Sequence, residues 1–198
     1  MHRIIAIPRV YDFIQNLAGA SIVRRHLAAL IKSLSPVSFI LDVGGGTGIY
    51  RDLWPYPSVY LCLDVDSAKL RGFVSKYPAD KSLLADAACI PLHDKTVDIV
   101  VCTAVSHHLS DKILTLFIQE SARVLNDGGI FIFLDAVYRP QLYFNRLLWA
   151  IDRGRCSRTR EQLQTAVTAA YHLVHSERFS VYHEYWLCAG DKKTDCFF

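Results

Sequence analysis

The chain lacks several features that would assign it to other classes of protein. Its six cysteines form no C-x-x-C pair, and Cys62 and Cys102 lie inside apolar stretches that predict strands. This usage is typical of small buried thiols in a reducing compartment, and a disulfide framework is not expected. No apolar run approaches the length needed to cross a bilayer, and residues 1–8 are too short for a signal sequence. We therefore expect a cytoplasmic protein with no transmembrane segment and no metal site.

Strong charge and internal repetition are also missing. The formal net charge of +3 is modest for a protein that binds nucleic acid, and the chain has no repeat, low-complexity tract or linker. Apolar sequence is abundant instead, since 52% of the 198 residues are hydrophobic, which is enough to bury one sizeable core. We therefore expect one domain over residues 1–198. Short apolar strands alternate with helical patterns, which predicts an α/β fold with parallel strands.

Several of the glycines lie together in one short turn. An apolar strand over residues 40–43 runs directly into this turn, with Asp42 near the end of the strand. Glycine permits positive φ and lets a ligand approach the main chain, so the turn suits a cofactor. A dinucleotide fingerprint would need glycine where the chain has Ile49, and the Gly-Lys-Ser/Thr of a phosphate-binding loop is absent. The glycines of the turn are Gly44, Gly45, Gly46 and Gly48.

An acid follows the next apolar strand. Residues 59–63 are apolar and end at Asp64, about 20 residues beyond Gly44, where nucleotide-binding βαβ units carry a ribose-binding carboxylate. A carboxylate there can accept hydrogen bonds from both ribose hydroxyls, and Asp66 is a weaker candidate for the same role. The alternative is that Asp64 is only a turn or helix-cap residue.

Together, these segments resemble the motifs of one family. The pattern Asp-x-Gly-x-Gly-x-Gly over residues 42–48 is similar to motif I of the class I S-adenosylmethionine-dependent methyltransferases, and residues 85–92 resemble their motif G/A-D-a-x-x-L-P. Residues 122–135 are similar to the family's helix end, glycine corner and fifth strand, so the resemblance covers roughly residues 9–136. It implies a Rossmann-like, doubly wound sheet of seven mostly parallel strands with the last strand antiparallel, and S-adenosyl-L-methionine as cofactor.

The resemblance also implies which residues would contact the cofactor. Asp86 and the Ala87 amide would read the adenine edge, which offers one donor and one acceptor. Val65 and Thr103, at the ends of the second and fourth strands, would lie at the ligand crevice. Tyr11 would close over the methionine portion, although it could instead be a core aromatic. The predicted set is Tyr11, Asp42, Gly44, Gly45, Gly46, Gly48, Asp64, Val65, Asp86, Ala87 and Thr103.

The family's architecture further divides the chain by role. Residues 38–136 would form the cofactor-binding core, and residues 173–190 would form the terminal strands. Helices within residues 1–37 and 137–172 would build the substrate lid, because related proteins build their lids from these two places.

Two groups of side chains bear on the methyl acceptor. His107 and His108 follow the fourth strand and could act as a base, since imidazole titrates near neutrality; alternatively, they only pack or hydrogen-bond in the loop. Arg153 and Arg155 lie in an arginine-rich stretch and suit an anionic substrate, because a guanidinium matches carboxylate or phosphate geometry. A solvated loop with scattered charge explains the two arginines equally well.

We therefore predict an S-adenosylmethionine-dependent methyltransferase that acts on a small-molecule or lipid-linked metabolite. Nucleic acid is not expected, because the chain after residue 103 lacks the Asn/Asp-Pro-Pro-Tyr that exocyclic-amine methyltransferases use. The alternatives are a binding protein that has kept the fold without turnover, and an RNA methyltransferase. A nicotinamide oxidoreductase is disfavoured by Ile49. The acceptor atom and the oligomeric state do not follow from the sequence.

Overall fold

The computed structural model describes residues 20–35, 38–54, 59–139, 141, 156–181 and 183–193. The predictions that concern Tyr11, Arg153 and Arg155 lie outside the described residues.

Four helices occur within the described residues, and local sequence explains where three of them begin. Asp66 caps the second helix by accepting hydrogen bonds from two backbone N–H groups, and Ser110 caps the third by accepting one. Thr159 and Gln162 form a reciprocal capping box at the start of the fourth. The helices are α1 (Ala20–Ser33), α2 (Ser67–Lys76), α3 (Asp111–Val124) and α4 (Arg160–Thr168).

The described strands form one sheet of seven in the order β3-β2-β1-β4-β5-β7-β6. Strands β1 to β5 are parallel to one another, whereas β7 runs antiparallel to both β5 and β6. The prediction of a doubly wound, mostly parallel sheet with an antiparallel last strand is confirmed. The strands are β1 (Phe39–Val43), β2 (Val59–Asp64), β3 (Lys81–Leu84), β4 (Val97–Thr103), β5 (Leu125–Val137), β6 (Tyr171–Ser180) and β7 (Glu184–Lys192).

Successive residues of each central strand pack alternately in two buried clusters, one on each face of the sheet. Leu41 of β1 packs in the cluster that holds Leu163 and Val167 of α4, whereas its neighbour Ile40 packs in the cluster that holds Leu27 of α1. Both helices are therefore part of the packed body of the domain. The apolar face of α4 is buried against the sheet, and the assignment of residues 137–172 to a substrate lid stays a prediction.

The order of the strands places the predicted site at one edge of the sheet. Strand β1 pairs with β2 on one side and with β4 on the other, so the winding direction reverses between β1 and β4. In open parallel sheets, ligands bind beyond the carboxyl ends of the strands at such a point. At this end of the sheet, the glycine turn follows β1. Asp64 and Thr103 are the last residues of β2 and β4.

Candidate functional site

The glycine turn is built so that side chains are excluded from it. Gly44, Gly46 and Gly48 have φ values of +71°, +58° and +72°, which L side chains rarely adopt. Gly45 has no such φ, but a Cβ there would overlap the Asp42 carboxyl. The turn therefore needs glycine at each of these positions, for conformation at three and for space at the fourth.

Backbone hydrogen bonds hold the turn against the end of β2. The Gly44 N–H donates to the Leu63 carbonyl at 2.6 Å, and the Gly46 N–H donates to Asp64 Oδ2 at 3.1 Å. Asp64 Oδ1 also accepts from the Asp66 N–H at 2.8 Å. Asp64 is thus a buried turn residue that fastens two loops together, and each of its oxygens keeps a second lone pair for a ligand.

The neighbouring acids and apolar residues take different roles. The Asp66 side chain caps α2, so the weaker candidate for the ribose is already used by the protein. Val65 is 69% exposed although it is apolar, and it stands at the carboxyl end of β2. Its place in the cofactor site stays a prediction.

Asp42 is a buried carboxyl with a single hydrogen-bond donor. The Tyr60 O–H donates to its Oδ2 at 2.5 Å, while its Oδ1 has no partner among the described residues. Burial raises the pKa of Asp42 to about 7; the Tyr60 hydrogen bond opposes this rise, and the nearby Asp64 charge adds to it. A buried acceptor without a partner is uncommon in folded proteins and fits a cationic or hydrogen-bonding ligand beside the turn.

Tyr60 itself is fixed by a second buried group. The Arg51 guanidinium lies over the Tyr60 ring at 4.7 Å and forms an ion pair with Asp80, with both charged side chains almost fully buried. Two hydrogen bonds of 2.5 and 2.9 Å join Arg51 to Asp80. The hydroxyl that holds Asp42 is therefore positioned by a rigid network.

The predicted adenine-reading segment lies next to Asp64. The Ala85 N–H donates to the Asp64 carbonyl at 3.2 Å, which brings residues 85–87 to the same edge of the sheet. Asp86 is exposed, and its Oδ1 accepts from the Ala88 N–H at 2.8 Å in a local turn. The Ala87 side chain packs in the core.

The chain after β4 turns sharply over the glycine turn. Thr103 is half-buried at the end of the strand, and Ala104 has a φ of +56°, a conformation that is rare outside glycine. The Ala104 N–H donates to the Leu134 carbonyl at 2.8 Å. Val105 then packs so closely on Gly44 that a Cβ at Gly44 would overlap it. The loop that carries the histidines is therefore seated directly on the glycine turn.

His107 is paired with a buried carboxylate. Its Nδ1 lies 2.7 Å from Asp135 Oδ1, and its backbone N–H donates to Asp135 Oδ2 at 3.3 Å. Asp135 also accepts from the Ser106 hydroxyl at 2.5 Å and from the Ala136 N–H at 2.7 Å. Burial alone would raise the pKa of Asp135, but the His107 charge and these hydrogen bonds outweigh it, and the pKa is lowered.

The second histidine is placed differently. His108 is exposed, and the centre of its ring lies 4.1 Å from that of His107 at an angle of 49°. Its backbone N–H donates to the Val105 carbonyl at 2.9 Å, within a short 3₁₀ turn over Ser106–His108. The structure thus separates the two predicted bases into one that is held by a carboxylate and one at the surface.

Arg158 secures the histidine loop from outside. This buried arginine donates hydrogen bonds of 2.7 Å to the carbonyls of Ser106 and Leu109, and it binds Asp111 Oδ1 at 2.7 and 2.9 Å. The backbone N–H of Cys156 also donates to the His107 carbonyl, at 3.0 Å. One member of the arginine-rich stretch is therefore structural, since its guanidinium satisfies backbone carbonyls instead of meeting a substrate.

The comparisons with known proteins agree with this geometry. Residues 41–133, which run from β1 to β5, match a family model described as a methyltransferase domain. The chain thus carries a domain of the S-adenosylmethionine-dependent methyltransferase family over these residues. The predicted fold and cofactor are confirmed.

The relatives of this chain methylate different kinds of atom: sulfur, oxygen or nitrogen. It is 29% identical over 172 residues to a rat thiol S-methyltransferase, covering 78% of this chain and 69% of the relative. It is 32% identical over 124 residues to an Arabidopsis thaliana tRNA (carboxymethyluridine(34)-5-O)-methyltransferase, covering 61% and 30%. Its fold is similar to that of the N-methyltransferase NodS from Bradyrhizobium japonicum in complex with S-adenosyl-L-homocysteine. The TM-score is 0.73 at 18% identity, and the match covers 87% of this chain and 86% of NodS.

The chain spans only part of the length of other relatives. It covers 33–42% of several other curated relatives that it matches. Within the described residues, no helix combines the length and the apolar character needed to span a membrane.

The sequence predictions missed four residues of this site. Asp135 ends an apolar strand just as Asp64 does, so the same signal could have identified it. Ala104 and Arg158 carry no signal in the sequence, because one is defined by its backbone conformation and the other by contacts with a distant loop. Tyr60 reads as an ordinary strand residue until its hydroxyl is seen to meet Asp42.

Proposed function

We propose that this protein transfers the methyl group of S-adenosylmethionine to a small-molecule or lipid-linked metabolite. The observation that supports the proposal best is the glycine turn, in which a Cβ at Gly45 would overlap Asp42 and the Gly46 N–H is bound to Asp64. A turn closed to side chains, beside a buried acceptor without a described partner, fits a ligand that approaches the main chain and carries positive charge.

Each predicted contact has a role in holding the cofactor. Asp64 would accept hydrogen bonds from the ribose, and Asp86 with the Ala87 amide would read adenine. Val65 would pack against the base, and Thr103 would lie near the methionine portion, over which Tyr11 would close. The remaining contacts are Asp42, Gly44, Gly45, Gly46 and Gly48.

The bound cofactor supplies an activated methyl group on a sulfonium centre. The protein therefore has to align the acceptor, exclude water and, where the acceptor arrives protonated, take up a proton. The candidates for the last task are His107 and His108, because their loop packs on the glycine turn through Val105. Arg153 and Arg155 remain our candidates for an anionic group of the substrate.

The identity of the acceptor is open among relatives of similar likeness. The thiol S-methyltransferase and the tRNA O-methyltransferase act on different atoms of very different molecules. We favour a small or lipid-linked acceptor because the net charge of +3 is modest for a protein that binds RNA. The tRNA relative keeps an RNA methyltransferase as the second candidate.

Calorimetric titration tests the cofactor assignment. We expect S-adenosylhomocysteine to bind and NADH not to bind. Asp64→Asn should weaken binding about tenfold or more, because a hydrogen bond to a charged group contributes about 1.5–3 kcal/mol. Asp66→Asn is the matched control: it removes the same charge two residues away, keeps a good helix cap, and should leave the affinity within about twofold. Equal affinities in both variants would refute the role of Asp64.

Transfer of label from radiolabelled S-adenosylmethionine into a fractionated cell extract tests turnover and substrate class. Label in a lipid or polar metabolite fraction is expected. Label confined to the nucleic acid fraction would favour the RNA methyltransferase. Tight cofactor binding with no transfer to any fraction would favour a binding protein without turnover.

A further inference from the structure

The Asp135 carboxylate is surrounded by donors on every side that the structure describes. It is fully buried, and its two oxygens accept four hydrogen bonds, two from backbone N–H groups, one from Ser106 and one from the His107 ring. A buried carboxyl with this number of donors is ionised, because each donor stabilises the charged form. The lowered pKa of Asp135 agrees with this.

An ionised carboxylate 2.7 Å from a ring nitrogen fixes the tautomer of the imidazole. Asp135 Oδ1 can only accept, so His107 Nδ1 must carry the hydrogen. In the neutral ring, the basic lone pair then lies on Nε2, on the opposite side from Asp135. Ser106 donates to Asp135 and not to the imidazole, so the three residues do not form a nucleophilic triad.

The same loop is fixed to the glycine turn and to the rest of the chain. Val105 packs on Gly44, two residues before His107, and Arg158 binds the carbonyl of Ser106. A base must lie within reach of the acceptor in a constant orientation, and this loop is held from both sides. The ionisable groups that surround it are His108, Asp111, Asp135, Cys156 and Arg158.

On these grounds we propose that His107, positioned by Asp135, takes the proton from the methyl acceptor, and that His108 does not. The inference rests on the proposed methyl transfer and narrows its substrate: the acceptor carries a proton on the attacking sulfur, oxygen or nitrogen. An acceptor that is already ionised or fully substituted would need no such residue.

Atoms and electrons are conserved in the proposed transfer. The lone pair of the acceptor atom forms a bond to the methyl carbon, the bond between that carbon and the sulfonium sulfur breaks, and its electron pair stays on sulfur. The proton of the acceptor moves to His107 Nε2, which becomes imidazolium beside the Asp135 carboxylate. The ring returns the proton to solvent after the product leaves.

Nitrogen NMR of the imidazole rings tests the positioning without any substrate. We expect neutral His107 to be the Nδ1–H tautomer in the wild type and to lose this preference in Asp135→Asn. Ring signals are assigned by their loss in His107→Gln. A wild-type His107 that carries its hydrogen on Nε2 would overturn the proposal.

The transfer assay with labelled extract tests the proton step. His107→Gln should lower the initial rate about 100-fold or more, since general base catalysis contributes at least this much. His108→Gln should lower it less than tenfold, and His172→Gln, an exposed histidine on β6, serves as the matched control. In Asp135→Asn, the acidic limb of the pH profile should move to lower pH, which a purely structural role would not produce.

The outcomes separate this inference from the function on which it rests. Cofactor affinity in each variant, measured by calorimetry, should stay within about threefold of wild type and so excludes misfolding. If the wild type transfers label and His107→Gln transfers it equally fast, or if His108→Gln loses more, the inference fails while methyl transfer stands. If the wild type transfers no label to any fraction, both fail.

Discussion

Two buried carboxyls at the same end of the sheet behave in opposite ways. Among the described residues, Asp42, in β1, has one donor and a pKa raised to about 7, whereas Asp135, in β5, has four donors and a lowered pKa. Both are almost completely excluded from water. Burial alone therefore does not decide the charge state here; for Asp135, the His107 charge and the hydrogen-bond donors outweigh it.

The two carboxyls therefore suit different roles within the site. Asp135 is satisfied by the protein alone and can serve as a fixed negative charge that orients His107. Asp42 is left incomplete by the protein, with Oδ1 unpaired among the described residues, and so it is the carboxyl that a ligand can complete. The predictions that follow alter one carboxyl or its surroundings and ask whether the contrast persists.

Removing Asp135, the carboxylate with more hydrogen-bond donors, should have the largest effect on stability. Asp135→Ala leaves two backbone N–H groups, the Ser106 hydroxyl and the His107 ring without their acceptor. We expect a loss of about 3–5 kcal/mol in the free energy of unfolding, as for other broken buried pairs. Urea denaturation at pH 7 measures it. A loss below about 1 kcal/mol would mean that the four contacts do not stabilise the fold.

The two carboxyls should also give opposite pH dependence. The raised pKa of Asp42 means that its contribution to stability is present below the unfolded pKa of 3.8 and is lost as the pH rises towards 7. Asp42→Asn removes this loss, so the variant should gain on the wild type by up to about 4 kcal/mol between pH 4 and 8. Denaturation at several pH values checks this, and a constant difference would contradict the raised pKa.

For Asp135, the sign is reversed. Its lowered pKa makes its contribution present above the unfolded value and lost as the pH falls below about 4. The difference in stability between wild type and Asp135→Asn should therefore shrink in acid. The same set of denaturation curves tests both carboxyls.

The glycine turn should be sensitive to a single methyl group. Gly45→Ala places a Cβ against the Asp42 carboxyl, and we expect a loss of about 1–3 kcal/mol in stability together with at least a tenfold loss of S-adenosylhomocysteine affinity. Gly128→Ala is the control, because a Cβ there meets nothing within 4 Å and only its positive φ is strained. Its stability should fall by about 1 kcal/mol with affinity unchanged. Equal affinity losses in the two variants would remove the special role of the turn.

The smallest effect should follow from deleting one donor of each carboxyl. Ser106→Ala leaves Asp135 with three donors, whereas Tyr60→Phe leaves Asp42 with none among the described residues. Each hydrogen bond contributes about 1 kcal/mol to stability. Tyr60→Phe should also raise the pKa of Asp42 further, which infrared titration of its carboxyl would detect. An unchanged Asp42 titration would argue against Tyr60 as its donor.

The sequence was sufficient to predict what depends on short stretches of chain. The alternation of strands and helices and the glycine turn follow from local pattern and spacing. Asp64 was also predictable, because its position after β2 is set by the length of one βα unit. Its buried contact with the Gly46 N–H shows that the ribose and turn-residue interpretations are compatible.

What escaped prediction depends on contacts between distant parts of the chain. His107 meets Asp135 because β4 and β5 are neighbours, and no periodicity in either segment indicates that pairing. Arg158 stands in a stretch whose composition suggests either a solvated loop or an anion site, yet it is buried against the histidine loop. The sequence also left open how far the helices of residues 137–172 pack on the sheet, since amphipathic helices of a lid and of a core have the same period.

The most direct test of the central claim is an amide NMR titration of the protein with S-adenosylhomocysteine. If the glycine turn holds the cofactor, the amides of Gly44, Gly46 and Gly48 should shift saturably and by more than those of Gly128 and Gly190, which serve as internal references. Absence of any saturable shift, or shifts that leave the turn unaffected, would contradict the account.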